Sequence, residues 1–187
     1  MVIIICGLNG AGKSTLGKVL AEKLKFHFID IEDLYFTKTD PDYIFASPRT
    51  REEVERLLLC EMETHENLIL ASVKGDYGED IYSFFQCAIL LDAPKDIRLQ
   101  RVKKRSFQKF GSRMLLGGDL YEQEEKFFRL VESRDENTVE EWVKSLKCPV
   151  IRIDGTRPID ENTNFIIERI RNKHLFAKEK EYTGGEV

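Results

Sequence analysis

Gly7-Leu8-Asn9-Gly10-Ala11-Gly12-Lys13-Ser14 places two glycines on either side of four residues and follows the second with Lys and Ser. Such a run can wrap a polyphosphate in backbone N–H groups, because glycine permits conformations that a side chain forbids. On this reading Gly7, Asn9, Gly10, Ala11 and Gly12 form the cradle. Lys13 reaches the β- and γ-phosphates, Ser14 meets Mg²⁺, and the Thr15 hydroxyl is a further phosphate contact. The competing reading is a glycine-rich turn with a surface lysine. An apolar run, Val2 to Cys6, precedes the loop and an amphipathic pattern follows it, so a helix N-terminus adds its positive dipole and the phosphate reading is preferred.

A second chemical group is Asp30-Ile31-Glu32-Asp33, at the end of the next apolar run. In an open parallel sheet the carboxyl ends of the strands border the ligand crevice. Asp30 is therefore expected to hold Mg²⁺, and Glu32 or Asp33 to orient an acceptor hydroxyl or take its proton. Asp33 can equally be a helix cap with no chemistry.

The third is basic. Arg98, Arg101, Lys103, Lys104, Arg105, Lys109 and Arg113 fall within sixteen residues without one acid among them. Arg98, Arg101 and Arg105 are three and four apart, so they share a helix face. The following stretch contains Gly111, Gly117 and Gly118 as hinge points and Arg113 near its tip. These are the parts of a lid that closes and brings arginines to a transferring phosphoryl group. A solvated helix face and an RNA-binding surface are the alternatives, and aromatics beyond Phe107 and Phe110 are lacking for the latter. No Asn-Lys-x-Asp segment is present to read guanine, since Asn172-Lys173 runs into His174 and Leu175.

The elements that must position these groups follow from periodicity. Strands are expected at Val2 to Cys6, His27 to Ile31, Leu68 to Ala71, Cys87 to Leu91 and Val150 to Ile153, with helical patterns between them. That alternation is the form of an α/β fold with a parallel sheet. The helices run from Lys13 to Lys25, from a cap at Ser47 with Pro48 first in the helix to Thr64, from Lys95 to Gln108, from Leu120 to Ser133, from Asn137 to Leu146 and from Ile159 to Lys173. Phe165, Ile166 and Ile170 should face inward on the last. One domain spans residues 1–176, with insertions around 32–66 and 106–120, and residues 177–187 form a polar tail expected to be disordered.

Composition narrows the classes further. The chain has 187 residues, 42% hydrophobic and 33% charged, and a formal charge of -4. That suits one globular domain and gives no overall field for nucleic acid or anionic lipid. No apolar run approaches the roughly 20 residues of a membrane span and no leader is evident, so a cytoplasmic protein is expected. Cys6, Cys60, Cys87 and Cys148 lie far apart and read as buried, reduced thiols.

The phosphate loop, the acidic strand end, Leu91-Asp92-Ala93-Pro94 leading into Arg98-x-x-Arg101-x-x-x-Arg105, and Ile153-Asp154-Gly155-Thr156-Arg157-Pro158 together resemble the nucleoside-monophosphate-kinase and shikimate-kinase-like P-loop kinases. The resemblance implies a three-layer P-loop NTPase fold: a five-stranded parallel sheet in order 2-3-1-4-5, an acceptor-binding insertion after strand two and a short lid after strand four. It implies that Arg101 and Arg105 are lid-helix arginines and that Gly155, Arg157 and Pro158 belong to a turn along adenine. It also implies ATP and Mg²⁺ as cofactors, and transfer of a γ-phosphoryl to a nucleoside monophosphate, nucleoside or small hydroxy or sugar acid. The expected partners are a nucleotide and that acceptor, with no membrane or nucleic acid, in a monomer or homodimer.

The chain departs from the family after strand three, where Ser72-Val73-Lys74-Gly75-Asp76-Tyr77 stands in place of the usual acceptor motifs. Lys74 then points to an acidic or phosphorylated acceptor, while Arg49, Arg51 and Arg56 read equally as helpers from the helix after strand two or as solvent-facing helix residues. A reading from another class, an ATP-binding regulatory module without small-molecule turnover, stands beside the kinase.

Overall fold

The computed structural model describes residues 1–172. Five strands, β1 (Val2–Cys6), β2 (His27–Asp30), β3 (Leu68–Ala71), β4 (Phe85–Asp92) and β5 (Val150–Asp154), form one parallel sheet in the order β2-β3-β1-β4-β5. Among the described residues eight α-helices accompany it: α1 (Lys13–Leu24), α2 (Ile31–Tyr35), α3 (Arg51–Thr64), α4 (Glu79–Phe84), α5 (Lys95–Phe110), α6 (Tyr121–Glu132), α7 (Asn137–Lys144) and α8 (Ile159–Asn172).

β1 lies in the middle and is apolar at every position, as a strand covered on both faces must be. Successive side chains alternate between two cores. Val2, Ile4 and Cys6 face Val54, Leu58 and Met62 of α3, Ile81 of α4 and Trp142 of α7. Ile3 and Ile5 face Leu16 and Leu20 of α1 and Ile166 and Ile170 of α8. Ile3, Ile4 and Ile5 are 0% exposed, each contributing roughly 1.5–3 kcal/mol by burial. A third, smaller cluster of Val102, Met114, Phe128 and Val131 packs between α5 and α6.

Several expectations are corrected. α3 starts at Arg51 rather than at Pro48. Thr50 caps it, accepting from Glu53 N–H at 3.2 Å while the Glu53 carboxylate accepts from Thr50 N–H at 2.8 Å, a reciprocal pair that satisfies two otherwise unpaired donors. Ser47 instead lies in a bend, and Pro48 is bridged to Phe36. Phe165 is 41% exposed with Arg169 over its ring, not inward. Cys60 is exposed and Cys148 half-buried, while Cys6 and Cys87 are buried, and none of these four sulfurs is in a disulfide. α5 continues to Phe110, so the loop expected from residue 106 begins at Gly111. The expected tail, 177–187, lies outside the described residues, as does the end of the last helix at Lys173.

Candidate active site

The loop after β1 runs directly into α1, and Gly12 before the first turn has φ 108°. Gly10, at φ 83°, could not be any other residue, because a Cβ there would lie 2.2 Å from the Arg98 carbonyl oxygen. The same distance separates a Cβ at Gly7 from the Leu91 carbonyl oxygen. The loop is thus pressed against β4 and the start of α5, and it borders a cavity of about 760 Å³ lined by Gly10, Gly12, Lys13, Ser14, Thr15 and Arg101 among others.

The Lys13 ammonium donates to the Leu8 carbonyl at 3.1 Å. Burial lowers its pKa to about 8, against the opposing pull of Asp30 and Glu32. Asn9 Oδ1 is buried without a hydrogen-bond partner. An inward ammonium short of counter-charge and a glycine cradle that a Cβ would fill both fit a polyphosphate.

Asp30 ends β2 and caps α2, its carboxylate accepting from Glu32 N–H at 3.1 Å. The cap considered for Asp33 thus belongs to Asp30. Asp30 and Glu32 both act on Lys13, whereas Asp33 is exposed and paired with Lys38. Asp33 is therefore turned to solvent and away from the acceptor role expected of it.

The basic residues separate in the structure. Arg98 is 3% exposed and structural, donating to the Ala93 carbonyl at 2.9 Å and pairing with Glu136 at 2.8 Å. Arg101 donates to the Gly10, Ala11 and Gly155 carbonyls at 3.4, 3.3 and 3.1 Å, tying the phosphate loop to the turn after β5. Arg105 lies 3.8 Å from Glu32. Arg113, expected at the phosphoryl group, is instead held by Asp119 at 2.5 Å and donates to the Asp42 carbonyl at 2.9 Å.

A second cavity, about 180 Å³, adjoins the first and is lined by Glu32, Phe36, Tyr43, Phe45, Arg105, Lys109, Phe110 and Phe127, with Ser106. Arg105 lines both cavities. Lys109 lies 4.4 Å over the Phe45 ring, and Phe45 and Phe110 meet edge to face at 6.2 Å. The Tyr43 hydroxyl donates to Glu124 at 3.0 Å. This aromatic wall was missed from sequence, where Tyr43 and Phe45 carry no periodic signal and Phe110 counted only toward nucleic-acid stacking.

The acceptor candidates of the flanking segments are engaged elsewhere. Arg49 donates to the Leu34 carbonyl at 2.6 Å, Arg51 donates to the Asp76 carbonyl, and Lys74 pairs with Asp76 at 2.9 Å. None of the three lines the aromatic cavity. Gly155 and Arg157 line the phosphate-loop cavity, and the neighbouring Pro158 accepts from Asn162 N–H at 3.1 Å to start α8.

Sheet order, phosphate loop and crevice together define a P-loop kinase fold of the nucleoside-monophosphate and shikimate kinase type. The chain belongs to the AAA domain family, whose match covers residues 3–113. It is 30% identical over 174 residues to the uncharacterized protein YqaC of Bacillus subtilis (strain 168), covering 89% of this chain and 95% of that one. It is 28% identical over 137 residues to the shikimate kinase of Clostridium beijerinckii, covering 68% and 80%. The solved structure of deoxyadenosine kinase from M. mycoides with bound dCTP superposes with a TM-score of 0.55 at 18% identity, over 92% of this chain and 100% of that one.

Proposed function

We propose that this chain is an ATP-dependent small-molecule kinase that moves the γ-phosphoryl of ATP to an acceptor seated in the aromatic cavity. The observation that carries this reading is the junction of the two cavities: Arg105 lines both, opposite Glu32 and beside the phosphate loop that holds Lys13. A donor polyphosphate on one side and an acceptor on the other then meet at a guanidinium, the group suited to spreading phosphoryl charge. An acceptor oxygen attacks the γ-phosphorus, the bond to the β–γ bridging oxygen breaks, and ADP leaves. The acceptor proton passes to Asp30 or Glu32.

Ser14 and Asp30 are the residues assigned to Mg²⁺, which supplies neutralising charge to the polyphosphate. Gly7, Asn9, Gly10, Ala11, Gly12 and Thr15 are assigned to the phosphates, and Gly155, Arg157 and Pro158 to the adenine side. Arg101 holds the loop in shape, and Arg113 joins the lid to the insertion. Of the acceptor classes, the aromatic wall favours a flat ring, a nucleoside or its monophosphate, over a polyhydroxy acid.

The test is acceptor-dependent ADP release across nucleosides, nucleoside monophosphates, sugar acids and shikimate. Release with a ring-bearing acceptor is expected. Intact ATP affinity with no release for any acceptor would instead support the regulatory module.

A further inference from the structure

At the other end of β2 from Asp30, three ligand-type side chains converge that the kinase reading does not use. Glu61 and His65 are four apart at the end of α3, the spacing that places two side chains on one helix face. His27 opens β2 beside them. His27 Nε2 is 3.5 Å and His65 Nε2 3.2 Å from the same Glu61 oxygen, and the two imidazoles stack with centroids 3.6 Å apart. One ligand atom from each residue falls within 4.8 Å of the others.

The geometry points to a binding site for a divalent transition-metal ion of the Zn²⁺ class, formed by His27, Glu61 and His65. With bonds of about 2.0–2.1 Å, a tetrahedral ion sets its ligands about 3.4 Å apart, and the two measured nitrogen-to-oxygen separations bracket that value. Imidazole with carboxylate is a donor set that suits zinc, copper or nickel over magnesium or calcium, which prefer oxygen alone. The backbones are already fixed. His65 N–H donates to the Glu61 carbonyl at 3.0 Å, and His27 N–H to the Asn67 carbonyl at 2.9 Å. As they stand the two imidazoles are stacked and near-parallel, so an ion held by both Nε2 lone pairs requires the rings to turn about their Cβ–Cγ bonds, with a fourth position left for water.

The site has a mechanical consequence. His27 and His65 bracket the excursion of chain that holds α2, the aromatic residues Phe36 and Phe45, and α3. An ion there clips the two ends of that excursion together, so it binds the folded chain in preference to the unfolded one and stabilises it. Nothing in the proposal depends on the kinase reading.

Calorimetry of the untagged, full chain with Zn²⁺ tests it, with Co²⁺ absorption as a spectroscopic readout of tetrahedral coordination and thermal melting alongside. One equivalent bound is expected, with a raised Tm that excess Mg²⁺ does not reproduce. His65→Ala and Glu61→Gln should each weaken Zn²⁺ binding by about tenfold or more, while Asp30→Asn and Cys60→Ser leave it intact. Far-ultraviolet circular dichroism confirms that each variant is folded. Absence of Zn²⁺ binding, undiminished binding in folded His65→Ala, or loss confined to Cys60→Ser or Asp30→Asn would each overturn the assignment.

Discussion

Lys13 is where the cost of the site is visible in a single side chain. Burial holds its pKa near 8 instead of the ordinary 10.5, so the unfolded chain keeps this proton at pH values where the native protein has released it. Between about pH 8 and 10.5 the unfolded state binds more protons and this group's contribution to stability rises with pH; below about 8 the full penalty of the buried charge is present. Lys13→Met removes that penalty along with the charge meant for the phosphates. The variant should lose nearly all phosphoryl transfer yet melt at least about 2 °C higher than the parent at neutral pH without nucleotide, with the gap narrowing toward about pH 10. Turnover together with melting at both pH values checks it, and a variant that melts lower at neutral pH contradicts the assigned burial cost. The loop that carries Lys13 and Ser14 was legible in the sequence because its geometry is set within eight neighbouring residues. Arg98 was misplaced for the opposite reason: its ion pair is with Glu136, and no local pattern announces a partner that distant in the chain.

Elements were legible wherever periodicity ran long, and their boundaries were decided by chemistry that competes. Ser47-Pro48 and Thr50-x-x-Glu53 are both start signals for α3, and the second prevails because it satisfies two donors while Pro48 joins the bridge to Phe36. Thr50→Ala is therefore expected to destabilise the protein by about 1 kcal/mol, or about 2–4 °C in Tm, whereas Ser47→Ala should leave Tm within about 1 °C. Paired thermal melts decide between the two caps. α2 was legible only through the alternative cap at Asp33, three residues late, because five residues hold too little pattern to fix a start. α5 carries the second element-scale expectation. Arg105 stands between the cavities with only a 3.8 Å approach to Glu32, free to turn toward a transferring phosphoryl group. Arg105→Ala should lower kcat by on the order of 10² with a smaller change in ATP affinity. Saturating kinetics with nucleotide Kd by calorimetry separates that outcome from a ground-state anchor, for which affinity falls and kcat survives.

At the scale of the whole molecule, periodicity announced an α/β alternation with a parallel sheet, and the strand order came from the family resemblance that a handful of motifs carry. The contact between the two insertions was not legible, because it joins irregular segments some seventy residues apart. In the structure Tyr43 and Phe45 of the first insertion pack on Phe110 at the lid's base with centroids 5.4 and 6.2 Å away. Arg113 reaches from the lid to the Asp42 carbonyl at 2.9 Å, oriented by Asp119. These contacts predict that the two segments order as one unit, so that whatever orders residues 110–120 also orders the wall of the aromatic cavity. Amide exchange around residues 36–48 and 110–120 should then slow together when nucleotide and acceptor bind. Asp119→Ala frees Arg113 to wander, and Phe45→Ala removes the aromatic bridge, so each should uncouple the two segments. Phe45→Ala should also raise the acceptor KM by about tenfold, with the ATP KM changed by less. Exchange measured by mass spectrometry reports both segments in one experiment. Protection that appears in the lid alone in the parent protein would show that the insertions move independently and that the aromatic contact is packing without consequence for closure.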